Sequence, residues 1–300
     1  MKKNRTMLIV FLLPATLCYI LVFLYPTIRS IIMSFFKVGS ATAKIAEWEW
    51  VGIGNYQKLM NAGDFVRSMS NIGKIWLIGG ISVMLIALLF AVILTSGIKL
   101  KSFYRAMIYL PNVISAVAMG NIWVNFVFDA KQGLLTKFFG ALGLETLSKI
   151  QWTGKYVFWA MLIAYCFGMV GYHMLIFMSG IERIPTDFYE AATIDGANKF
   201  KQFTSITLPL LKGVVKTNLV MWTVSITAFF VWSQIFSPNV LKAGTISPIQ
   251  YLYVSVFGGS TAVLKVNAGL GAAVGVLMAL CVLIVFVLTS LIFKEKDLEF

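Results

Sequence analysis

The side chains able to do chemistry gather in one polar stretch, Glu190-Ala191-Ala192-Thr193-Ile194-Asp195-Gly196-Ala197, which closes with Ile206-Thr207-Leu208-Pro209 and lies between two long apolar runs. Its carboxylates, Glu190 and Asp195, have no histidine, cysteine or serine beside them, so the chemistry on offer is charge-assisted hydrogen bonding to a basic partner rather than bond making. Materials for catalysis are missing elsewhere too. The single histidine, His173, sits in an apolar run, and Cys18, Cys166 and Cys281 are odd in number and lack metal or disulfide spacing. No H-E-x-x-H, G-x-S-x-G or G-x-x-x-x-G-K-[ST] pattern occurs, which disfavours an intramembrane enzyme and leaves any ATP hydrolysis to another chain.

The polar stretch reads as a helix–turn–helix. Ile184-Pro185-Thr186-Asp187 is a helix start, with Asp187 as N-cap and Glu190 completing a capping box. A short amphipathic helix is predicted from Asp187 to about Asp195; Phe188, Ile194 and Tyr189 form its apolar contact surface, and Ala191 and Ala192 keep one face thin. Capping by Glu190 is worth about 0.5–2 kcal/mol, and the same carboxylate has acceptor capacity left for a basic cleft. Gly196 suits a left-handed reversal. A second helix from about Asn198, bearing Lys199 and Lys201, runs toward the bilayer and meets the next apolar run at Pro209.

The elements that carry this loop are membrane spans. Apolar residues make up 59% of the chain, charged residues only 12%, and mean hydropathy is +0.85, far oilier than a soluble domain of this size needs. Net charge is +13, but the basic residues punctuate apolar runs instead of pairing with aromatic platforms; they suit anionic lipid headgroups, not nucleic acid. Runs of about 20 apolar residues fall near 7–28, 75–96, 106–128, 156–180, 213–236 and 268–293. The first, behind Lys2, Lys3 and Arg5, has no small-residue cleavage site and reads as a retained span.

The fold class expected is therefore an all-α membrane protein of six transmembrane helices in a single domain, residues 1–300, with both termini on one side. Twelve Lys and Arg fall on each side of the membrane, at about twice the density on the side of the termini, which places the termini in the cytoplasm. Residues 29–74 read as an outer cap or lateral helix, with Trp48 and Trp50 at the interface and Val51–Tyr56 turning into a short helix. Pro14, Pro26 and Pro111 are expected to kink or end helices, and Gly168, Gly171, Gly269, Gly271 and Gly275 to permit close helix approach. Charge inside the spans is almost absent, Lys216 apart, which argues against an ion-coupled secondary carrier.

The pattern E-A-A, three residues, Gly, nine residues, I-x-L-P resembles the cytoplasmic loop of the membrane subunits of ABC importers. The fuller form, Tyr189-Glu190-Ala191-Ala192…Asp195-Gly196-Ala197…Phe203…Ile206-Thr207-Leu208-Pro209, is similar to the carbohydrate-uptake branch that includes the maltose and glycerol-3-phosphate permeases. Leu13-Pro14, Tyr25-Pro26, Ser34-Phe35, Gly52…Asn55-Tyr56, Phe103-Tyr104-Arg105…Leu110-Pro111 and Ile122-Trp123 look like the first of the two permease types. One departure stands out: Phe236-Ser237-Pro238-Asn239-Val240 occupies the place of a frequent Gly-Gly-Pro segment.

The resemblance implies a multi-pass permease of a bacterial-type cell membrane whose coupling helix, through Glu190, Ala191, Ala192, Asp195 and Gly196, docks on an ATPase dimer. It implies a heterodimer with a second, related permease and an external solute-binding protein. ATP and Mg²⁺ belong to the ATPase, and this chain holds no cofactor. Uptake of a carbohydrate by alternating access follows, with a sugar phosphate or polyol as the alternative cargo. Solute contacts are expected on helical stripes: Tyr165, Gly168, Met169 and Tyr172 in span four, Trp222, Ser225, Phe229 and Trp232 in span five, and Asn121 and Asn125 around Trp123 in span three. The resemblance raises Tyr165, Tyr172, Trp222, Ser225 and Phe229, although aromatic stripes suit helix packing equally well. His173 points away from Tyr172's face and reads as a packed or interhelically bonded histidine.

Overall fold

A computed structural model describes residues 5–238, 241–259 and 266–293. Lys2, Lys3, Lys265, Lys294 and Lys296, which enter the charge comparison, lie outside the described residues, as do Asn239 and Val240 of the departing segment. Among the described residues, four helices are long and apolar enough to cross a membrane: α1, Val10–Met33; α3, Gly63–Thr95; α8, Val157–Ile181; and α14, Ala268–Ile292. Two bent pairs bring the count to six if each is one span: α4 with α5, Lys101–Val113 and Ala116–Val127, at 96°, and α11 with α12, Lys212–Thr227 and Phe230–Phe236, at 50°.

Several boundaries differ from the hydropathy reading, for physical reasons. The helix α3 starts twelve residues before the expected span, because its first turns are amphipathic: Phe65, Ser68, Asn71 and Ile72 are buried while Asp64, Arg67 and Lys74 lower the hydropathy of the same stretch. With α1 reaching Met33, the insert between the first two spans shrinks to the residues between Met33 and the short helix α2, Gly54–Asn61, with α2 itself. There the all-α expectation needs amending: β1, Phe36–Lys37, pairs antiparallel with β2, Glu49–Trp50, in register Phe36 with Trp50 and Lys37 with Glu49. Phe35 stacked on Trp50, Phe36 edge-on to the same ring and a Lys37 Nζ–Glu49 Oε2 contact of 2.7 Å hold this ladder.

The helix Pro248–Phe257, α13, was invisible to a scan for full spans: ten residues rise only about 15 Å. Two more short helices, α6, Leu134–Ala141, and α7, Glu145–Ser148, lie between α5 and α8. Ahead of them the Asp129 carboxylate accepts the backbone N–H groups of Gln132 at 2.6 Å and Lys131 at 2.9 Å, which hold its pKa below the ordinary carboxylate value.

Of the prolines, Pro14 stands inside a helix that continues past it, and Pro26 opens the helical stretch after a π turn at Ile20–Leu24, so neither ends α1. Pro111 behaves as expected. The helix α4 stops at Val113, and Ser115 caps α5 by accepting the Ala118 N–H at 3.3 Å. Among the glycines, Gly171 lies against the backbone of α4, Gly269 against the Phe36 carbonyl and Gly271 against Val256, whereas Gly275 is in ordinary contact and Gly168 has no atom within 4 Å of a would-be Cβ.

Packing divides the chain into two compact units, residues 1–66 with 248–280 and residues 67–247 with 281–300. The first is latched by two asparagines. Asn55 Nδ2 donates to the Ser34 and Phe36 carbonyls, both at 2.8 Å, and Asn267 Oδ1 accepts the Val38 N–H at 3.2 Å and the Leu270 N–H at 3.3 Å. Asn267→Ala strands the Val38 N–H, while the Leu270 N–H keeps its bond to the residue-267 backbone carbonyl at 3.1 Å; the loss is about 1–3 kcal/mol for such a buried donor. Thermal unfolding in detergent is expected to show a lower midpoint, and an unchanged one would show that the latch contributes nothing.

The second unit is organised around α8, whose buried residues face α3, α4, α11 and α12. Its core joins Ile75, Val83, Met161, Tyr165, Trp222 and Phe229. At one end Asn71 Nδ2 donates to the Ala243 and Ile246 carbonyls at 2.8 and 3.1 Å; at the other, Lys101 Nζ meets Glu182 Oε1 at 2.5 Å.

Candidate functional site

At the Glu182 end the chain leaves α8 and builds the polar loop. The helix α9 spans Thr186–Ile194, with Pro185 as N-cap at φ −56° and ψ 137° and no side-chain cap. The capping box therefore does not form. Proline's fixed φ starts the helix one residue ahead of Asp187, which falls in the first turn, where its charge favours the positive helix end. Glu190 is left exposed on the body of α9.

The helix end is a Schellman reversal. The Ala197 N–H donates to the Ala192 carbonyl at 2.8 Å, the Gly196 N–H to the Thr193 carbonyl at 3.0 Å, and Gly196 has φ +77°. Asn198 then caps α10, Lys199–Gln202, accepting the Lys201 N–H at 2.8 Å. From there the chain passes a π turn at Phe203–Thr207 and a Leu208–Leu210 turn containing Pro209, and enters α11.

Two cross-bonds clamp α9 to this arm. Gln202, only 4% exposed, donates from Nε2 to Thr193 Oγ1 at 3.0 Å and to the Ala197 carbonyl at 3.1 Å; Tyr189 and Thr207 join hydroxyls at 2.9 Å. Tyr189 and Thr207 both stand in the sequence pattern, but their pairing is not visible there, and Gln202 falls in its nine-residue gap with no signal at all. What the clamp presents outward is apolar and acidic: Ile194 is 87% exposed and Phe200 75%, with Glu190 and Asp195 exposed beside them. A groove of about 440 Å³ runs along Ala192, Asp195, Gly196, Ala197, Lys201 and Gln202. Such a surface suits a protein partner that covers the aromatic and aliphatic anchors and meets the carboxylates with cations.

The expected solute stripes separate into two groups. Tyr165, Trp222 and Phe229 are almost fully buried and pack together, Tyr165 lying 5.4 Å from Trp222, 4.8 Å from Phe229 and 5.6 Å from Trp232 between ring centroids. The Tyr165 hydroxyl is buried without a hydrogen-bond partner, and a cavity of about 120 Å³ lies between Tyr165, Asn112, Met169 and Trp232. Tyr172 and Ser225 are half-buried outside that cluster, Ser225 donating to the Met221 carbonyl at 2.8 Å; Asn121 and Asn125 are exposed and donate to the Val117 and Asn121 carbonyls at 2.9 and 3.1 Å.

Breaks in the helices explain the separation. The chain bends after Thr227, with Phe229 as N-cap of α12, and a π turn at Trp123–Val127 intervenes between Asn121 and Asn125, so even 3.6-residue spacing does not carry through either run. His173 is fully buried, and its Nδ1 lies 2.7 Å from Asn218 Oδ1.

Residues 83–296 match the family described as the binding-protein-dependent transport system inner membrane component. Over 82% of this chain and 71% of its own length, the diacetylchitobiose uptake system permease protein NgcF of Streptomyces coelicolor is 28% identical. The probable starch degradation products transport system permease protein AmyD of Thermoanaerobacterium thermosulfurigenes is 27% identical over 99% of this chain and 97% of its own. In fold, the chain is similar to a crystal structure of a bacterial ABC transporter involved in the import of the acidic polysaccharide alginate, with TM-score 0.79, 18% identity and coverage of 98% of this chain and 97% of that one. This chain belongs to the inner-membrane components of binding-protein-dependent transport systems, the permeases of ABC transporters.

Proposed function

We propose that this chain is one permease of an ATP-driven carbohydrate importer, taking solute from an external binding protein and passing it inward by alternating access. The observation that carries this reading is the clamped α9–α10 arm, which presents Ile194, Phe200, Glu190 and Asp195 outward and leads through the Phe203–Thr207 and Leu208–Leu210 turns directly into α11. A partner ATPase dimer holding ATP and Mg²⁺ docks there, with Glu190, Ala191, Ala192, Asp195 and Gly196 at the contact, and its closure is transmitted to α11. This end and both termini face the cytoplasm, consistent with the denser basic residues on that side. A second, related permease completes the pathway. Solute passes Tyr172, Ser225, Asn121 and Asn125, with the Tyr165, Trp222 and Phe229 cluster behind them.

Carbohydrate cargo is supported by the uptake systems to which the relatives belong, and the scarcity of cations in the spans sets a sugar phosphate below a neutral oligosaccharide. The test is reconstitution of the chain with its partner permease, ATPase and binding protein in vesicles. Tritiated diacetylchitobiose, arabinotriose, maltotriose and glycerol-3-phosphate are the probes. Uptake of a neutral oligosaccharide that requires internal-face ATP supports the reading; uptake driven by an ion gradient alone overturns it in favour of a secondary carrier. Glu190→Ala is expected to lower uptake about tenfold, the scale of a lost charged contact of roughly 1.4 kcal/mol or more, with insertion intact. Wild-type uptake in that variant would remove Glu190 from the docking contact.

A further inference from the structure

A residue outside every expected stripe holds the aromatic cluster in place. Trp76 stands in a π turn, Ile75–Gly79, of α3. Its carbonyl accepts the Trp222 indole N–H at 2.9 Å, and its own indole N–H donates to Thr223 Oγ1 at 2.9 Å. Thr223 is poised for this: its hydroxyl proton goes to the Leu219 carbonyl at 2.8 Å, which leaves the oxygen lone pairs for Trp76. The seat beneath Trp222 is made of glycine. A Cβ at Gly80 would lie 2.7 Å from Trp222 Nε1, and one at Gly79 3.1 Å from the same ring and from Leu162. Trp222, with no exposed surface, in turn packs on Tyr165 and, at 5.7 Å, on His173.

Two reciprocal hydrogen bonds thus join α3 to the very helix that continues from the coupling arm, at the residue that backs Tyr165. We propose that Trp76 is a positioning residue: through Trp222 and Thr223 it fixes the placement of Tyr165 and the solute-facing side of α8 and α11. A pull on α11 then moves α3 and the pathway together, so ATP turnover is not lost as slip. This rests on the importer reading above. Trp222, expected from sequence as a solute-stacking ring, acts in this arrangement through Tyr165.

The experiment uses the complete reconstituted importer with three variants: Trp76→Phe, which keeps an aromatic ring and removes the N–H donor; Thr223→Val, which removes the acceptor; and Thr223→Ser, which restores it. Difluorotyrosine incorporated at position 165 reports ring placement by fluorine NMR, and tritiated maltotriose, arabinotriose and diacetylchitobiose report uptake per ATP hydrolysed. In Trp76→Phe and Thr223→Val the fluorine line is expected to shift or split and uptake per ATP to fall about fivefold while ATPase rate per complex stays within roughly twofold, the scale of one lost hydrogen bond. Thr223→Ser is expected to match the unsubstituted protein in both. An unchanged fluorine line overturns the proposal, and so does a proportional fall of uptake and ATPase, which is what a merely structural role gives. If the unsubstituted importer takes up none of the probes, the importer reading loses its cargo class, and the fluorine line alone upholds or overturns the positioning role.

Discussion

Replacing Gly196 by valine is expected to reduce coupled import sharply while leaving the chain inserted in the membrane. Gly196 sits at φ +77°, and a Cβ there would meet nothing within 4 Å, so the penalty is not steric crowding but backbone conformation. For an L residue it is about 1–2 kcal/mol, and a β-branched side chain stands at its upper end. The reversal this φ permits is closed by the Ala197 and Gly196 N–H bonds to Ala192 and Thr193, and it places Thr193 and Ala197 where Gln202 bonds both. Unwinding the turn therefore frees α9 from its arm and presents the ATPase with a docking surface of undefined angle. Uptake in reconstituted vesicles is expected to fall by about tenfold or more, the equivalent of 1.4 kcal/mol, with ATP hydrolysis no longer stimulated by loaded binding protein. Gly196→Asn should retain much of the uptake, because asparagine visits the left-handed region. Equal loss in the valine and asparagine variants would show that the bare Cα, and not its φ, is what the partner needs.

That turn was legible in the sequence because glycine has one strong local reason to follow a helix, and the E-A-A spacing set where the helix lay. Other features lacked such a local cause. The capping box written in Asp187 and Glu190 lost to Pro185, whose ring starts the helix earlier. Hydropathy located the spans, yet it could not see the amphipathic first turns of α3, the short α13, or the Phe36–Trp50 ladder, each of which is decided by partners distant in sequence. The stripe drawn through Trp222, Ser225, Phe229 and Trp232 assumed one straight helix, and the bend after Thr227 brings Phe229 and Trp232 onto Tyr165 by a different geometry. Trp76 carried no signal because its role depends on a π turn and on Thr223, nearly half the chain away.

Two glycines of α8, Gly168 and Gly171, equivalent on paper, are expected to answer oppositely to alanine. At Gly171 an added Cβ would strike the Ile108 carbonyl oxygen and lie 2.6 Å from Tyr109 Cα and 3.0 Å from the Ile108 carbonyl carbon. These are backbone atoms of α4, with no rotamer to turn aside, so α4 has to back away as a body. Asn112, whose Nδ2 donates to the Gly168 carbonyl at 3.1 Å, then loses its hold on α8 as well. Overpacking of this kind costs about 1–3 kcal/mol, and the lost hydrogen bond adds about 1 kcal/mol. Gly171→Ala is thus expected to lower the melting midpoint in detergent by roughly 4–16 °C, taking 2–4 °C per kcal/mol for a chain of this order of size. At Gly168 nothing lies within 4 Å of the added methyl, and alanine gains up to about 1 kcal/mol of helix propensity, so Gly168→Ala should melt at or above the unsubstituted protein. A drop at Gly168 equal to that at Gly171 would mean that both positions require glycine for backbone freedom, and that the α4–α8 approach is not what Gly171 serves.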